Sequence, residues 1–346
     1  MKFKITTVPA FCFLAATTVF PQSSDSEIEG SGTTGYIPVF TSFQRVANSS
    51  IFEAPGGDVG IGTTAPFWPV LVLSSKTVDE LKSRADSGDA AARHQLAEFL
   101  ISSDPAAPGY DSAFSWLRSM ASQNVPDARF LLGYLYEHGK GVPRDYVQAF
   151  ENYSASAHEG YAPAENNLGT LYHHGNGVPK SLDEAFRWYR AAALKGNPSG
   201  EHNLGNFYYL GYATPVDYSQ AVKWFRAAAE QGLASAQSSL AYCYVKGAGV
   251  STDYDEAVRW ARLAADQGHA SAEALLGYLY ENGKGLPLNY ISAYAWYSRA
   301  ATAGDASSPD RLKSLSRIMT RKQLDQANIV VASQSDPHTP IGPWEK

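Results

Sequence analysis

Two stretches of the chain carry a Gly-Lys-Gly that invites a phosphate-binding reading: "LGYLYEHGKGVPRDY" from Leu132 and "LGYLYENGKGLPLNY" from Leu276. A phosphate loop of the Gly-x-x-x-x-Gly-Lys-Ser/Thr type joins a strand to a helix and supplies a hydroxyl for magnesium. Here the glycines follow an apolar run with helical spacing, and neither lysine is followed by Ser or Thr. In related stretches the Lys140 position becomes Asn176, Tyr212, Ala248 and Lys284, so the lysine is dispensable while the glycines recur. The pattern predicts a turn between two helices.

Histidine could bind metal or move protons. His138 and His174 occupy equivalent positions, with His173 beside the second and His202 further on. Stacked helices would hold such positions about 10 Å apart, too far to share a metal without added carboxylates. No metal or other cofactor is expected. Cys243 stands where related stretches have Leu135, Leu171, Phe207 and Leu279, which predicts a buried small apolar side chain rather than a nucleophile. No Ser-His-Asp set or paired carboxylates stand out, and the chain reads as a non-enzyme.

The elements that position these residues form a repeat. In a 36-residue register, glycine recurs at Gly133, Gly169, Gly205 and Gly277, with Ala241 in the fourth place. Tyr follows three positions later at Tyr136, Tyr172, Tyr208, Tyr244 and Tyr280. Alanine recurs at Ala149, Ala185, Ala221, Ala257 and Ala293; Trp188, Trp224, Trp260 and Trp296 follow it, with Asn152 the exception. Such a period marks a solenoid or array. Each unit reads as two helices, the first stopping at a glycine such as Gly139. The second is capped by Asp145, Ser181, Asp217, Asp253 or Asn289, after Pro143, Pro179, Pro215 or Pro287 in four of the five. Gln148, Glu184, Gln220 and Glu256 stand three residues after a cap, which predicts a capping box. The small residues predict close approach of Gly133 to the helix of Ala149, with Leu and Trp filling the flanks.

The stretch "NNLGTLYHHGNGVPKSLDEAFRWYRAAALKGNPSGEHNLG" and its companions resemble the Sel-one-like repeat family, a relative of the tetratricopeptide repeat. The resemblance implies an all-α fold, an α/α superhelical solenoid of helix pairs, with each first helix lining a concave face. It also implies an adaptor or scaffold that binds protein. Some exported relatives have been linked to β-lactam chemistry, but they carry a disulfide per repeat, and this chain has only 2 cysteines.

On that arrangement the variable groove positions are Phe130, Tyr134 and Glu137, then Asn166, Thr170 and His173, then His202, Asn206 and Tyr209. Ser238, Tyr242 and Val245 follow, then Ala274, Tyr278 and Glu281. Amides to bond a peptide backbone and rings to supply apolar contact suit a protein or peptide ligand. A plain solvated face is the alternative.

The remaining segments differ in character. Lys2 and Lys4 precede the apolar stretch Ile5 to Phe20, so residues 1–22 read as a signal peptide, with an uncleaved anchor as the alternative. Export to the periplasm, cell surface or medium would follow, with no stable membrane span after cleavage. Residues 23–75, rich in Gly, Thr and Ser, read as short strands and turns preceding the helices. The "YIPVF", "NSSIF" and "GDVGIGTTAP" pieces resemble a module of bacterial surface and tail-fibre-like proteins. This segment is read as a site of self-association or as a spacer. Residues 76–127 read as an N-terminal cap and a degenerate repeat, 128–305 as five full repeats, 306–333 as capping helices, and 334–346 as a disordered tail. The net charge of -6 argues against nucleic acid as a partner. Three functions remain open: a peptide-binding scaffold, a cell-envelope enzyme, and a structural surface component assembled through residues 25–75.

Overall fold

The computed structural model describes residues 51–53, 59–61, 70–72 and 75–333. The readings of residues 1–22 as a signal and 334–346 as a tail lie outside the described residues, as does most of 23–75. Within that segment, β1 (Ile51–Glu53), β2 (Val59–Ile61) and β3 (Val70–Val72) pair antiparallel in chain order. The register sets Phe52 opposite Gly60, and Gly60 opposite Leu71.

The rest of the described chain is all-α, a solenoid of helix pairs that divides into two compact units, Met1–Lys180 and Ser181–Lys346. The first unit holds α1 (Ser75–Asp86), α2 (Ala90–Ser102), α3 (Tyr110–Ser122), α4 (Pro126–His138), α5 (Tyr146–His158) and α6 (Ala162–His174). The second holds α7 (Leu182–Leu194), α8 (Pro198–Leu210), α9 (Tyr218–Glu230), α10 (Ala234–Lys246), α11 (Tyr254–Asp266), α12 (Ala270–Asn282) and α13 (Tyr290–Thr302). There α14 (Ser308–Ile318) and α15 (Arg321–Ser333) follow, and both pack on α13. Leu315, Met319 and Ala327 join the core that runs from Ala221 through the second unit.

The Gly-x-Gly turns have a structural cause. Gly139 ends α4 with φ 67 and donates its N–H back to the Leu135 carbonyl, a left-handed cap that a side chain would strain. The second glycine serves the stack. A β-carbon on Gly249 would run into the Tyr218 backbone at the start of the preceding repeat's second helix, and one on Gly285 would meet Tyr254 likewise. Lys140 is held by the Ile101 carbonyl at 2.7 Å, and Lys284 by the Tyr278 hydroxyl at 2.8 Å. The turn therefore joins repeats and holds no phosphate cradle.

All five expected caps form. Asp145 accepts from Val147 and Gln148, Ser181 from Glu184, Asp217 from Gln220, Asp253 from Glu256, and Asn289 from Ser292. The reciprocal half of the capping box does not. The cap's own N–H donates instead to the first helix's Tyr carbonyl, as Asp145 does to Tyr136 and Asp253 to Tyr244, at 2.9 and 3.1 Å. At Asp253 that donor is already satisfied, and Glu256 turns outward to Arg259; Glu184 pairs with Arg187 in the same way.

The glycine of the first helix approaches the second helix as expected, and an aromatic ring of that helix fills the space it leaves. A β-carbon on Gly133 would lie 2.8 Å from the Tyr153 ring, and one on Gly205 2.7 Å from that of Phe225. The fully enclosed aromatic is therefore the residue after the Trp position. Tyr153, Tyr189, Phe225 and Tyr297 are buried, whereas Trp188 and Trp224 are only half-buried; Trp260 and Trp296 reach the core, as Trp116 does in the first unit. Where the glycine becomes Ala241, the ring position becomes Ala261, and both are wholly buried. One added carbon on the first helix is matched by removal of the ring facing it.

Candidate functional site

The second unit contains an open cleft of about 510 Å³ lined by one face of α8, α10 and α12 and closed by the start of α14. The positions follow from helix geometry. His202, Asn206 and Tyr209 recur at steps of four and three along α8, which places them on one face. Ser235, Ser238, Ser239 and Tyr242 do the same on α10, and Ser271, Ala274, Leu275 and Tyr278 on α12. Local anchors fix these helices. Asn197 caps α8 by accepting from the Gly200 N–H at 2.8 Å, and Gly200 allows close packing on Ala192. The rings of Phe225 and Tyr297, admitted by Gly205 and Gly277, extend from the second helices to the cleft wall.

Of the predicted groove residues in this unit, His202, Asn206, Tyr209, Ser238, Tyr242, Ala274 and Tyr278 line the cleft together, and Val245 does not join its lining. Neither does Glu281; its carboxylate accepts from the Tyr297 hydroxyl at 2.7 Å. The predicted residues of the first unit engage neighbours within that unit. Phe130 packs between Tyr153 and Tyr161 with ring centroids 5.6 and 5.4 Å away, and Glu137 accepts from Tyr153 at 2.7 Å. Tyr134 stacks with His138 at 4.1 Å, Asn166 donates to Asn167, and Thr170 donates to the Asn166 carbonyl. His173 stacks on His174 at 4.8 Å; burial, then the charges of His174 and Lys180, lower its basicity.

His202 is half-buried in the cleft and is the centre of its polar contacts. Its Nε2 lies 3.2 Å from the Ser239 hydroxyl and 3.5 Å from the Asn206 amide, and its Nδ1 lies 3.5 Å from the Ser235 hydroxyl. Burial, with His269 nearby, pushes its imidazole down to about 4, and burial lowers His269 too. Both rings are neutral at pH 7. A general base works best with a pKa near the operating pH, so the His202–Ser239 pair is a poor activator and a good neutral hydrogen-bonding platform. Among the described residues no group of three or more His, Cys, Asp or Glu is placed to hold a metal. Cys243 is wholly buried, and burial pushes its thiol up to about 12, which makes it a packing residue.

Reading the repeats alone missed Ser235, Ser239, His269 and Ser271, and also Asp305, Ser307 and Arg311. The serines were legible as face-mates three residues from Ser238 (Ser235), Tyr242 (Ser239) and Ala274 (Ser271). Asp305, Ser307 and Arg311 sit at or beyond the last repeat's edge, where a register of equivalent positions has nothing to compare.

The Sel1 repeat model matches six consecutive blocks, residues 90–125, 126–161, 162–197, 198–233, 234–269 and 270–305. A protective antigen of uropathogenic Escherichia coli strains with an SLR fold is 31% identical, with a TM-score of 0.60, covering 74% of this chain and 56% of that one. A Sel1 repeat protein from Oxalobacter formigenes is 28% identical, with a TM-score of 0.58, covering 73% of this chain and 96% of that one. The chitin synthase regulator SKT5 of Saccharomyces cerevisiae is 36% identical over 86 residues, which are 24% of this chain and only 12% of the yeast protein.

Proposed function

The chain belongs to the Sel1 repeat family, and from that premise we propose that it is a non-catalytic scaffold holding an extended protein segment in the cleft of its second unit. The observation that carries this reading is the convergence of Asn206, Tyr209, Tyr242 and Tyr278 from three helices on one open cleft with a neutral His202 in its wall. Amides and neutral imidazoles suit peptide N–H and C=O groups, and tyrosines add apolar area with little loss of rotamer freedom. Panning a random-peptide display library on the full chain tests it. Selected peptides should lose binding to the Asn206→Ala, Tyr242→Ala double variant while its helicity is unchanged. Peptides that bind parent and double variant equally would remove the cleft from the proposal.

Export belongs to the same proposal, supported by Lys2, Lys4 and the apolar stretch that follows. Expression in a Gram-negative host followed by N-terminal sequencing of the fractionated protein tests it. A full-length cytoplasmic product would count against export.

A further inference from the structure

The chain carries a net charge of -6, yet the charged lining of the cleft is balanced, with one carboxylate, Asp305, and one guanidinium, Arg311. Asp305 lines the cleft, but its Oδ2 accepts from the N–H and hydroxyl groups of both Ser307 and Ser308, at 2.6 to 3.1 Å. Those bonds tie its Oδ2 to the residues that open α14 without cancelling its charge. Glu281, behind the wall, is occupied by the Tyr297 hydroxyl. By contrast Arg311 lines the cleft, is exposed, and has no ion-pair partner among the described residues. Two more cations lie beside the lining at its tyrosines: Lys246, 5.5 Å from the Tyr242 ring centroid, and Lys284, which donates to the Tyr278 hydroxyl and lies 5.1 Å from that ring's centroid.

The wall runs from α8 through α10 and α12 to α14, three helix spacings of about 8–10 Å each. An extended chain advances about 3.3 Å per residue, so roughly eight residues would cross it. The two ends of the path differ. At α8 a bound segment meets neutral hydrogen-bonding groups around His202; toward α12 and α14 it meets Tyr278 with its lysine, and then Arg311.

Resting on the peptide-binding reading above, we infer that the cleft takes an acidic extended segment of a partner protein, uncharged and polar over His202 and carboxylate-bearing over Lys284 and Arg311. An arginine fork binds a carboxylate in two parallel hydrogen bonds, and the aromatic wall lowers the water content around that contact.

The test uses the full chain and three fluorescein-labelled, C-terminally amidated octapeptides with a common Ser/Tyr-containing first half. The second half carries three Glu, three Gln or three Lys. Anisotropy titrations at low salt should show the Glu peptide binding at least tenfold more tightly than the Gln peptide, with the Lys peptide weakest. Arg311→Gln, a surface change, should weaken the Glu peptide several-fold and leave the Gln peptide unchanged. Equal binding of Glu and Gln peptides, or a preference for Lys, would overturn the acidic assignment while leaving peptide binding standing. A Glu preference untouched by Arg311→Gln and by the Asn206→Ala, Tyr242→Ala double variant would overturn the location. No binding by any of the three peptides would overturn both this inference and the reading on which it rests.

Discussion

The ring of Tyr297 occupies the space that a β-carbon on Gly277 would need: that carbon would lie 2.8 Å from the Tyr297 Cδ1. The same ring reaches the cleft wall and donates its hydroxyl to Glu281 at 2.7 Å. A missing side chain on one helix thus serves both the core of the repeat and the surface of the candidate site.

Gly277→Ala should destabilise the protein by about 1–3 kcal/mol, the usual cost of overpacking a closed core. Tyr297→Ala alone should cost more, by analogy with the ~3–5 kcal/mol of large aromatic truncations. The double substitution recreates the arrangement of Ala241 and Ala261, so its cost should fall well below the sum of the singles. Urea unfolding of the four proteins measures the coupling; strict additivity would mean that the ring and the glycine do not compete for space.

Ala213 stands in the second-glycine position of its turn with φ 53, where the equivalent Gly249 has φ 74. A left-handed alanine costs about 1–2 kcal/mol. Replacing it with glycine returns part of that through the larger entropy of the unfolded chain, about 0.4–1 kcal/mol. Ala213→Gly should therefore raise the urea midpoint modestly, by the equivalent of about 0.5–1 kcal/mol. Gly249→Ala should lower it, because its β-carbon would also meet the Tyr218 backbone. A lower midpoint for Ala213→Gly would refute the strain argument.

Glu201 is buried, and that burial raises its carboxyl from 4.5 to about 7, against the opposing hydrogen bond from Gln231. Between those two values the folded chain keeps a proton that the unfolded chain releases. Stability should therefore fall as pH rises from about 4.5 to about 7. Glu201→Gln should remove that slope and make the protein more stable than the parent at pH 8. The equivalent Gln237 already shows that an amide fits, bonded to Gln267 at 2.9 Å and to the Ala229 carbonyl at 3.2 Å. Thermal melts across this range decide it, and an unchanged slope would place the titration elsewhere.

Cys243 should resist a thiol reagent in the folded protein at pH 8, since its side chain is wholly buried and its thiol is pushed up to about 12. Labelling should begin at the urea concentration where helicity is lost. Rapid stoichiometric modification of the native protein at Cys243 would contradict its packing role.

The repeat, its helix pairs, the caps and the burial of Cys243 were legible in the sequence because each depends on local chemistry that recurs every 36 residues. A cap needs an oxygen three residues before an amide, and a helix stop needs a glycine; neither requires knowledge of distant chain. The capping-box expectation failed for a tertiary reason, since the Tyr136 carbonyl on the preceding helix reaches the Asp145 N–H first. The close approach of Gly133 to the helix of Ala149 was legible, but spacing could not tell that the Tyr153 ring on that helix fills the space.

The site divides along the same line. The variable positions from His202 to Tyr278 followed from helical periodicity, because residues on one helix face must share a surface. The sequence could not show which neighbours the groove positions of the first unit meet, such as Phe130 between Tyr153 and Tyr161. Nor could it show that Glu281 is engaged by Tyr297, or that Arg311 from beyond the last repeat completes the wall. Those outcomes depend on which side chains meet across elements far apart in the chain. Periodicity assigned faces; only packing of the helices decided which faces closed around one space and which charges were left free within it.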